Sequence, residues 1–218
     1  MIRLMIVDDH ALVRAGLNAI IQNDRGIKVV AQASTAAEAL QAARTETIDV
    51  LLLDLELQGV SGLYVTRKWS TIQASTKILI LTSTVSTFFP YRLFSAGDCG
   101  YLNKTTKPQE LCTAIHTLHQ GGRVVEEKLA NRLAFAVMNP EPLSAFSVLS
   151  DSVLEIAGLT VRGYKPSRIA QMMHLSVATV HVYRHTMFNQ LGIRNDIGLT
   201  RLAIKEGILA PDLVDASV

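Results

Sequence analysis

The sequence predicts an α/β protein, a (βα)5 doubly wound parallel sheet followed by a small all-α domain. Three observations carry this. Five short apolar runs alternate with helical patterns over the first 120 residues, and after a Pro-rich break only helical patterns remain. Asp8 and Asp9 close the first run and Asp54 closes the third, which puts three acids where open α/β sheets carry their ligands.

The elements follow in order. Ile2-Arg3-Leu4-Met5-Ile6-Val7 and Val50-Leu51-Leu52-Leu53 are nearly unbroken apolar runs, the pattern of strands buried on both faces. Strands are predicted at 2–8, 27–33, 49–54, 77–82 and 98–103. Between them, apolar spacing such as Leu12, Val13, Leu17, Ile20 and Ile21 predicts helices at 10–23, 35–47, 61–73, 86–96 and 107–119, the last opened by Pro108 in its first turn. Gly121-Gly122 closes this domain at about residue 120. A helical stretch at 125–138 and the break Asn139-Pro140-Glu141-Pro142 form a linker over 121–147. Helical patterns at 150–162, 167–173, 177–191 and 196–206 make a second domain over 148–210, with Ser176 as an N-cap and a tail at 211–218.

At 218 residues, 49% apolar and 18% charged, two modest domains fit better than one, and the formal net charge of +2 implies no partner by itself. Charge distribution is more informative. Arg162, Lys165, Arg168, Arg184, Arg194 and Arg201 face a single acid, Asp196, a local net of +5 over 162–201. Cys99 and Cys112 are too few for a disulfide framework and are expected to be reduced. No run is long enough to span a bilayer and no leader is visible, so a cytoplasmic protein with no membrane partner is expected.

Three carboxylates crowded at one sheet edge stay ionised only beside a cation, which implies Mg2+. Thr82 ends Ile78-Leu79-Ile80-Leu81 and Lys104 ends Gly100-Tyr101-Leu102-Asn103, so both are expected at the same edge. A phosphoryl group on Asp54 would carry roughly two negative charges, and a hydroxyl, an ammonium and Mg2+ are the donors it needs.

Residues 1–120 resemble the flavodoxin-like receiver domain of bacterial two-component response regulators, on Asp8-Asp9, Asp54, Thr82 and Gly100-Tyr101 leading to Lys104. The resemblance implies that Asp54 accepts phosphate from a sensor histidine kinase. It also implies that Asp9, Asp54 and the Glu56 carbonyl hold Mg2+, with Asp8 supporting the metal through water. Thr82 and Tyr101 would move together on phosphorylation and reshape the surface formed by 86–96, 98–103 and 107–119. From the residues alone, Tyr101 is equally a core filler. Leu57-Gln58 stands where the family usually has Met-Pro, and the Glu56 side chain is an added acid that either tightens the metal site, shortens the phosphate's lifetime or simply faces solvent.

In the helix at 177–191, Val180, Tyr183, Met187 and Leu191 form a core stripe, leaving Ala178, His181, Val182 and His185 outward with Arg184 flanking. A short helix, a tight turn at Leu175-Ser176 and this second helix fit a helix-turn-helix, whose second helix enters the major groove of double-stranded DNA. Lys165, Arg168, Arg184 and Arg194 are expected to grip phosphates, and Thr179, His181, Val182 and His185 to approach bases and backbone. Helical hairpins with a basic face also occur as plain solvated surfaces. Residues 147–210 resemble the LuxR-type helix-turn-helix of the NarL/FixJ class, on Leu149-Ser150, Gly163, Ile169-Ala170, Leu175-Ser176, Thr179-Val180, Met187-Phe188 and Leu191-Gly192-Ile193. Phe89-Pro90-Tyr91-Arg92-Leu93 followed by Ala96-Gly97 looks more narrowly like the GacA/UvrY/LetA group.

The expected function is a phosphorylation-controlled transcriptional regulator, not an enzyme, that forms a DNA-binding homodimer on activation, with 196–206 as a dimer contact. The alternative is an interaction or phosphate-sink module that reads DNA poorly, since Ala178, His181 and His185 stand where relatives carry lysine. Phosphohydrolase or nucleotide-dependent oxidoreductase chemistry is disfavoured, because Asp8-Asp9-His10 lacks an alternating acid pair and no Gly-rich turn follows the first strand. Histidine charges at about pH 6.5, so gel shifts should show tighter DNA binding at about pH 6 than at about pH 8. Equal binding at both, or the same difference in His181→Gln/His185→Gln, would defeat that expectation.

Overall fold

The computed structural model describes residues 1–55, 57, 62–82, 99–126, 130, 144–173 and 175–206. The chain divides into two compact units, whose described residues fall before 131 and after 143 respectively.

In the first unit the elements run β1 (Ile2–Val7), α1 (Ala11–Ile21), β2 (Ile27–Ala33), α2 (Ala36–Thr45), β3 (Val50–Asp54), α3 (Gly62–Ile72), β4 (Lys77–Thr82), β5 (Cys99–Asn103) and α4 (Pro108–His119). All five strands pair in parallel in the order β2-β1-β3-β4-β5. β3 is buried along its whole length, as its unbroken apolar run requires. Leu4, Ile6, Val50, Leu52, Leu79 and Leu81 pack with Leu17 and Ile21 of α1 and with Leu111, Ile115 and Leu118 of α4. The intervening Met5, Leu51, Leu53 and Ile80 are equally buried and, by strand alternation, face the opposite layer. Each such side chain contributes about 1.5–3 kcal/mol of burial, so the sheet can carry polar groups at its rim.

Local signals place the helix ends. Thr35 caps α2 by accepting from the Glu38 backbone N–H, while the Glu38 carboxylate accepts from Ser34 N–H at 2.7 Å, a reciprocal cap. Gly100 lies in close packing: a Cβ there would sit 2.8 Å from Leu79 Cδ1 and 3.2 Å from Val124 Cβ, so a larger residue would push these side chains aside. Val125 departs from the helix expected at 125–138, since it bridges to Tyr101 in parallel while Tyr101 N–H donates to the Val124 carbonyl at 2.9 Å. The outer edge of β5 is thereby paired at Tyr101. The expected helix at 86–96 and most of 125–138 lie outside the described residues.

The second unit opens with a 3-10 turn at Ala145–Val148, then α5 (Asp151–Val161), α6 (Pro166–Met173), α7 (Val177–Leu191) and α8 (Asp196–Lys205). Ile156 and Leu159 of α5, Ile169 and Ala170 of α6 and Val180 of α7 form its core. Val180 and Met187 of the expected α7 stripe are fully buried, and Tyr183 and Leu191 partly so. The Ser176 side chain accepts from Thr179 N–H at 3.0 Å to start α7, and Gly192, in the left-handed region, ends it. The 3-10 turn was not expected. Its Phe146 is buried, a lone aromatic among loop residues whose packing no periodicity announces.

Asp24 latches the turn before β2 to α4. Its Oδ1 accepts from Gly26 N–H at 2.8 Å and its Oδ2 lies 3.0 Å from His116 Nε2. The Gly26 hydrogen bond and then His116 hold its carboxyl below the ordinary aspartate range. A depressed carboxyl contributes stability above its unfolded value and loses it as pH falls through the folded one. Asp24→Asn should therefore lose less urea stability than wild type between about pH 5 and about pH 3. Equal losses would count against the latch.

Candidate functional site

The sheet's strand order reverses between β1 and β3, and at such a switch point the loops at the carboxyl ends diverge and leave a crevice. Val7 pairs with Leu53, so Asp8 and Asp9, just past β1, adjoin Asp54 at the end of β3. Asp8 and Asp54 side chains are each 2% exposed. Thr82 ends the next strand and is buried, and Lys104 follows β5, its backbone N–H donating to the Thr82 carbonyl at 2.8 Å. From there Lys104 Nζ donates to Asp8 Oδ2 and to Asp54 Oδ2, both at 2.7 Å.

Burial by itself would lower the proton affinity of Lys104. The hydrogen bonds that it donates to Asp54 and Asp8, and then the charges of those carboxylates, outweigh it and hold the ammonium above the ordinary lysine range. A raised lysine contributes stability that is complete below its unfolded value and is lost as pH rises through the folded one, so the bridge is intact at neutral pH.

One ammonium does not balance three carboxylates. Asp9 is nine-tenths buried, and its Oδ1 has no hydrogen-bond partner. His10 Nδ1 lies 2.8 Å from that oxygen without hydrogen-bond alignment, so the contact attracts only when the imidazole is charged. Ligand atoms of Asp8, Asp9, His10 and Asp54 all lie within 4.8 Å of one another. An orphaned buried carboxylate oxygen beside two further carboxylates fits a hard divalent cation such as Mg2+. Glu56, expected to offer its carbonyl, lies outside the described residues.

Two neighbours were not singled out from the sequence. His10 stands on the rim of the acid cluster, and Gly62 opens α3 directly against the strand end that carries Asp54. A Cβ at Gly62 would sit 2.6 Å from the Asp54 carbonyl oxygen, and Gly62 N–H donates to the Leu55 carbonyl at 3.0 Å. Only the tertiary approach reveals either role. Tyr101, on β5 opposite Ile80, is buried and takes the core position that the sequence left open.

On α7, His181, Val182 and His185 are exposed beside Ala178. Thr179 is half-buried and engaged in the cap, its hydroxyl 2.8 Å from Ser176 Oγ. Lys165, Arg168 and Arg194 are exposed. Arg184 differs from this group: its side chain is only 15% exposed, its Nη2 donates to Asp196 Oδ1 at 2.6 Å, and the guanidinium lies 5.7 Å from the Phe188 ring centroid. It ties α7 to α8 instead of sharing the outward face.

Removing Lys104 should leave two buried carboxylates facing each other. Lys104→Met is expected to cost about 3 kcal/mol, the low end for breaking a buried pair, with part of the loss restored by millimolar Mg2+. Thermal unfolding with EDTA and with Mg2+ checks this, and a variant as stable as wild type under both conditions would refute it.

Residues 4–116 match the family "Response regulator receiver domain", and residues 147–203 match "Bacterial regulatory proteins, luxR family". The response regulator UvrY of Escherichia coli (strain K12) is 39% identical over 209 residues, covering 95% of this chain and 96% of UvrY. The response regulator GacA of Pseudomonas protegens is 36% identical over 218 residues, the whole of both chains. The Salmonella typhimurium RcsB response regulator superposes with a TM-score of 0.75 at 20% identity, covering 95% of this chain and all of that one, a likeness of fold. The chain belongs to the luxR-class response regulators, phosphorylation-controlled transcriptional regulators in which a receiver domain precedes a DNA-binding helix-turn-helix domain.

Proposed function

We propose that Asp54 is the phosphoacceptor and that its phosphorylation by a sensor histidine kinase drives a DNA-binding homodimer. The observation that carries this is the Lys104 ammonium, 2.7 Å from a carboxylate oxygen of both Asp8 and Asp54 at the switch point of the sheet. In the transfer, an Asp54 oxygen attacks the phosphorus of a phosphohistidine, the P–N bond breaks, and its electron pair stays with the departing imidazole. Asp8, Asp9, Asp54 and the Glu56 carbonyl would hold Mg2+, which when bound neutralises charge on the phosphoryl oxygens. Lys104 holds Asp54 in line beforehand and exchanges that contact for a phosphoryl oxygen afterwards. The Thr82 hydroxyl, at the end of the adjacent strand, donates to a second oxygen, and the buried Tyr101 ring follows its movement.

In the second unit, His181, Val182 and His185 of α7, with Thr179 near its start, are the proposed groove-facing residues. Lys165, Arg168 and Arg194 are proposed to meet phosphates. Arg184 contributes by fixing α7 against α8 through Asp196 rather than by reaching out. The exposed Ile197 of α8 supports a dimer contact along that helix.

The absence of lysine from the α7 sequence favours one second reading, an interaction or phosphate-sink module that reads DNA poorly. One experiment separates the two. Full-length protein and Asp54→Asn are treated with acetyl phosphate and Mg2+, then examined for oligomeric state and for retention on fragments of upstream DNA. Wild type should become dimeric and retain DNA, and Asp54→Asn should do neither. An Asp54→Asn response equal to wild type would refute the acceptor assignment, and dimerisation without retention would support the second reading.

A further inference from the structure

We propose that His181 and His185 form a chelating site on the outward face of α7 for a late divalent transition metal ion, Zn2+ or Ni2+, and that the bound ion excludes DNA. The inference rests on the reading of α7 as the DNA-reading helix.

Four residues apart on a continuous helix, the two side chains rise from Cβ atoms about 5–6 Å apart on one face. Long side chains on a helix lean back toward its N-terminus, so the ring of His185 tilts over the turn that carries His181. Two imidazole nitrogens that share one ion at about 2.0–2.1 Å stand roughly 3–3.5 Å apart, a separation within reach of such a pair. Histidines at this spacing on one helix face are an established way to hold zinc.

The surroundings favour the ion. Both histidines are exposed, and among the described residues His181 has no hydrogen-bond or ion-pair partner. α7 holds no acid to fix either ring as imidazolium, and its only fixed cation, Arg184, is turned away to Asp196 and Phe188. Ala178 and Val182 present no competing charge beside the pair. His185 Nδ1 lies 3.3 Å from the Asn189 side-chain amide nitrogen, whose oxygen and nitrogen exchange places on a half-turn of the amide. With that amide turned so that its oxygen accepts from Nδ1–H, Nε2 is left as the outward lone pair, the arrangement in which histidine ligates best. Imidazole ligation selects Zn2+, Ni2+ and Cu2+ over Mg2+, so this site is chemically separate from the carboxylate cluster at the sheet rim. The nitrogens that would bind the ion are those that would approach base edges, so metal and DNA compete for the same atoms.

The test is calorimetric titration of full-length protein with ZnCl2 in excess Mg2+, in wild type, His181→Gln/His185→Gln and His10→Ala, with far-UV circular dichroism to verify folding. Wild type and His10→Ala should share a zinc site that weakens at least tenfold in the double variant. In gel shifts with acetyl phosphate and Mg2+, Zn2+ at saturation should lower wild-type DNA retention several-fold and leave any retention by the double variant unchanged. Equal zinc affinity in wild type and double variant, or loss of the site in His10→Ala alone, overturns the assignment. Zinc binding that leaves wild-type DNA retention unaltered overturns the competition. Failure of activated wild type to retain DNA even without zinc would instead remove the DNA-reading function, while the calorimetry would still decide the metal site.

Discussion

The ammonium of Lys104 is the contact on which the N-terminal unit depends. Asp8 and Asp54 are buried at the rim of an apolar sheet, where two like charges repel strongly, and a single side chain from the far end of that sheet bridges both. The bridge spans 96 positions in sequence to Asp8 and 50 to Asp54. It therefore exists only when β1, β3, β4 and β5 have assembled in register. Apolar strands supply the burial energy, and the rim spends part of it on keeping reactive charges out of water.

That arrangement is stable but incomplete, which suits a switch. Asp9 retains an oxygen with no hydrogen bond, so the pocket holds more negative charge than its protein cations satisfy. A bound cation would change the charge balance of the pocket, at whose rim Lys104 and Thr82 are linked through a backbone hydrogen bond at the ends of β5 and β4. The missing side chain of Gly62 lets the start of α3 lie against the Asp54 carbonyl.

The helical unit divides its polar groups differently. Arg184, the only fixed cation on α7, is spent on holding α7 to α8 through Asp196, so the outward face is left to neutral or titratable groups. The tie between α7 and α8 leaves the outward face of α7 without fixed positive charge. The exposed Lys165, Arg168 and Arg194 lie before α6, within α6 and between α7 and α8, so they frame α7 without being part of it.

Period and punctuation in the sequence were sufficient for the described strands and helices, because unbroken apolar runs and 3.6-residue spacing report burial directly, and apart from the stretch at 125–138 their ends fell within a residue or two of expectation. The acids and the lysine were legible because each sits at a strand end, and parallel strands deliver their carboxyl ends to one edge. Residue identity also marked the helix-turn-helix, through Ser176, Gly192 and the Val180 and Met187 stripe. Other features depend on contacts between distant segments and leave no periodic trace: Gly62 against the Asp54 carbonyl, Phe146 in the helical core, Val125 beside Tyr101, and the inward turn of Arg184. Arg184 reads as a surface cation until Asp196, twelve residues on, is brought against it by the packing of α8. Local sequence determined which segments form and which chemistry they carry to their ends. Tertiary structure alone decided which charges are spent on each other and which remain for a ligand, because pairing energy depends on distances that only the assembled fold sets.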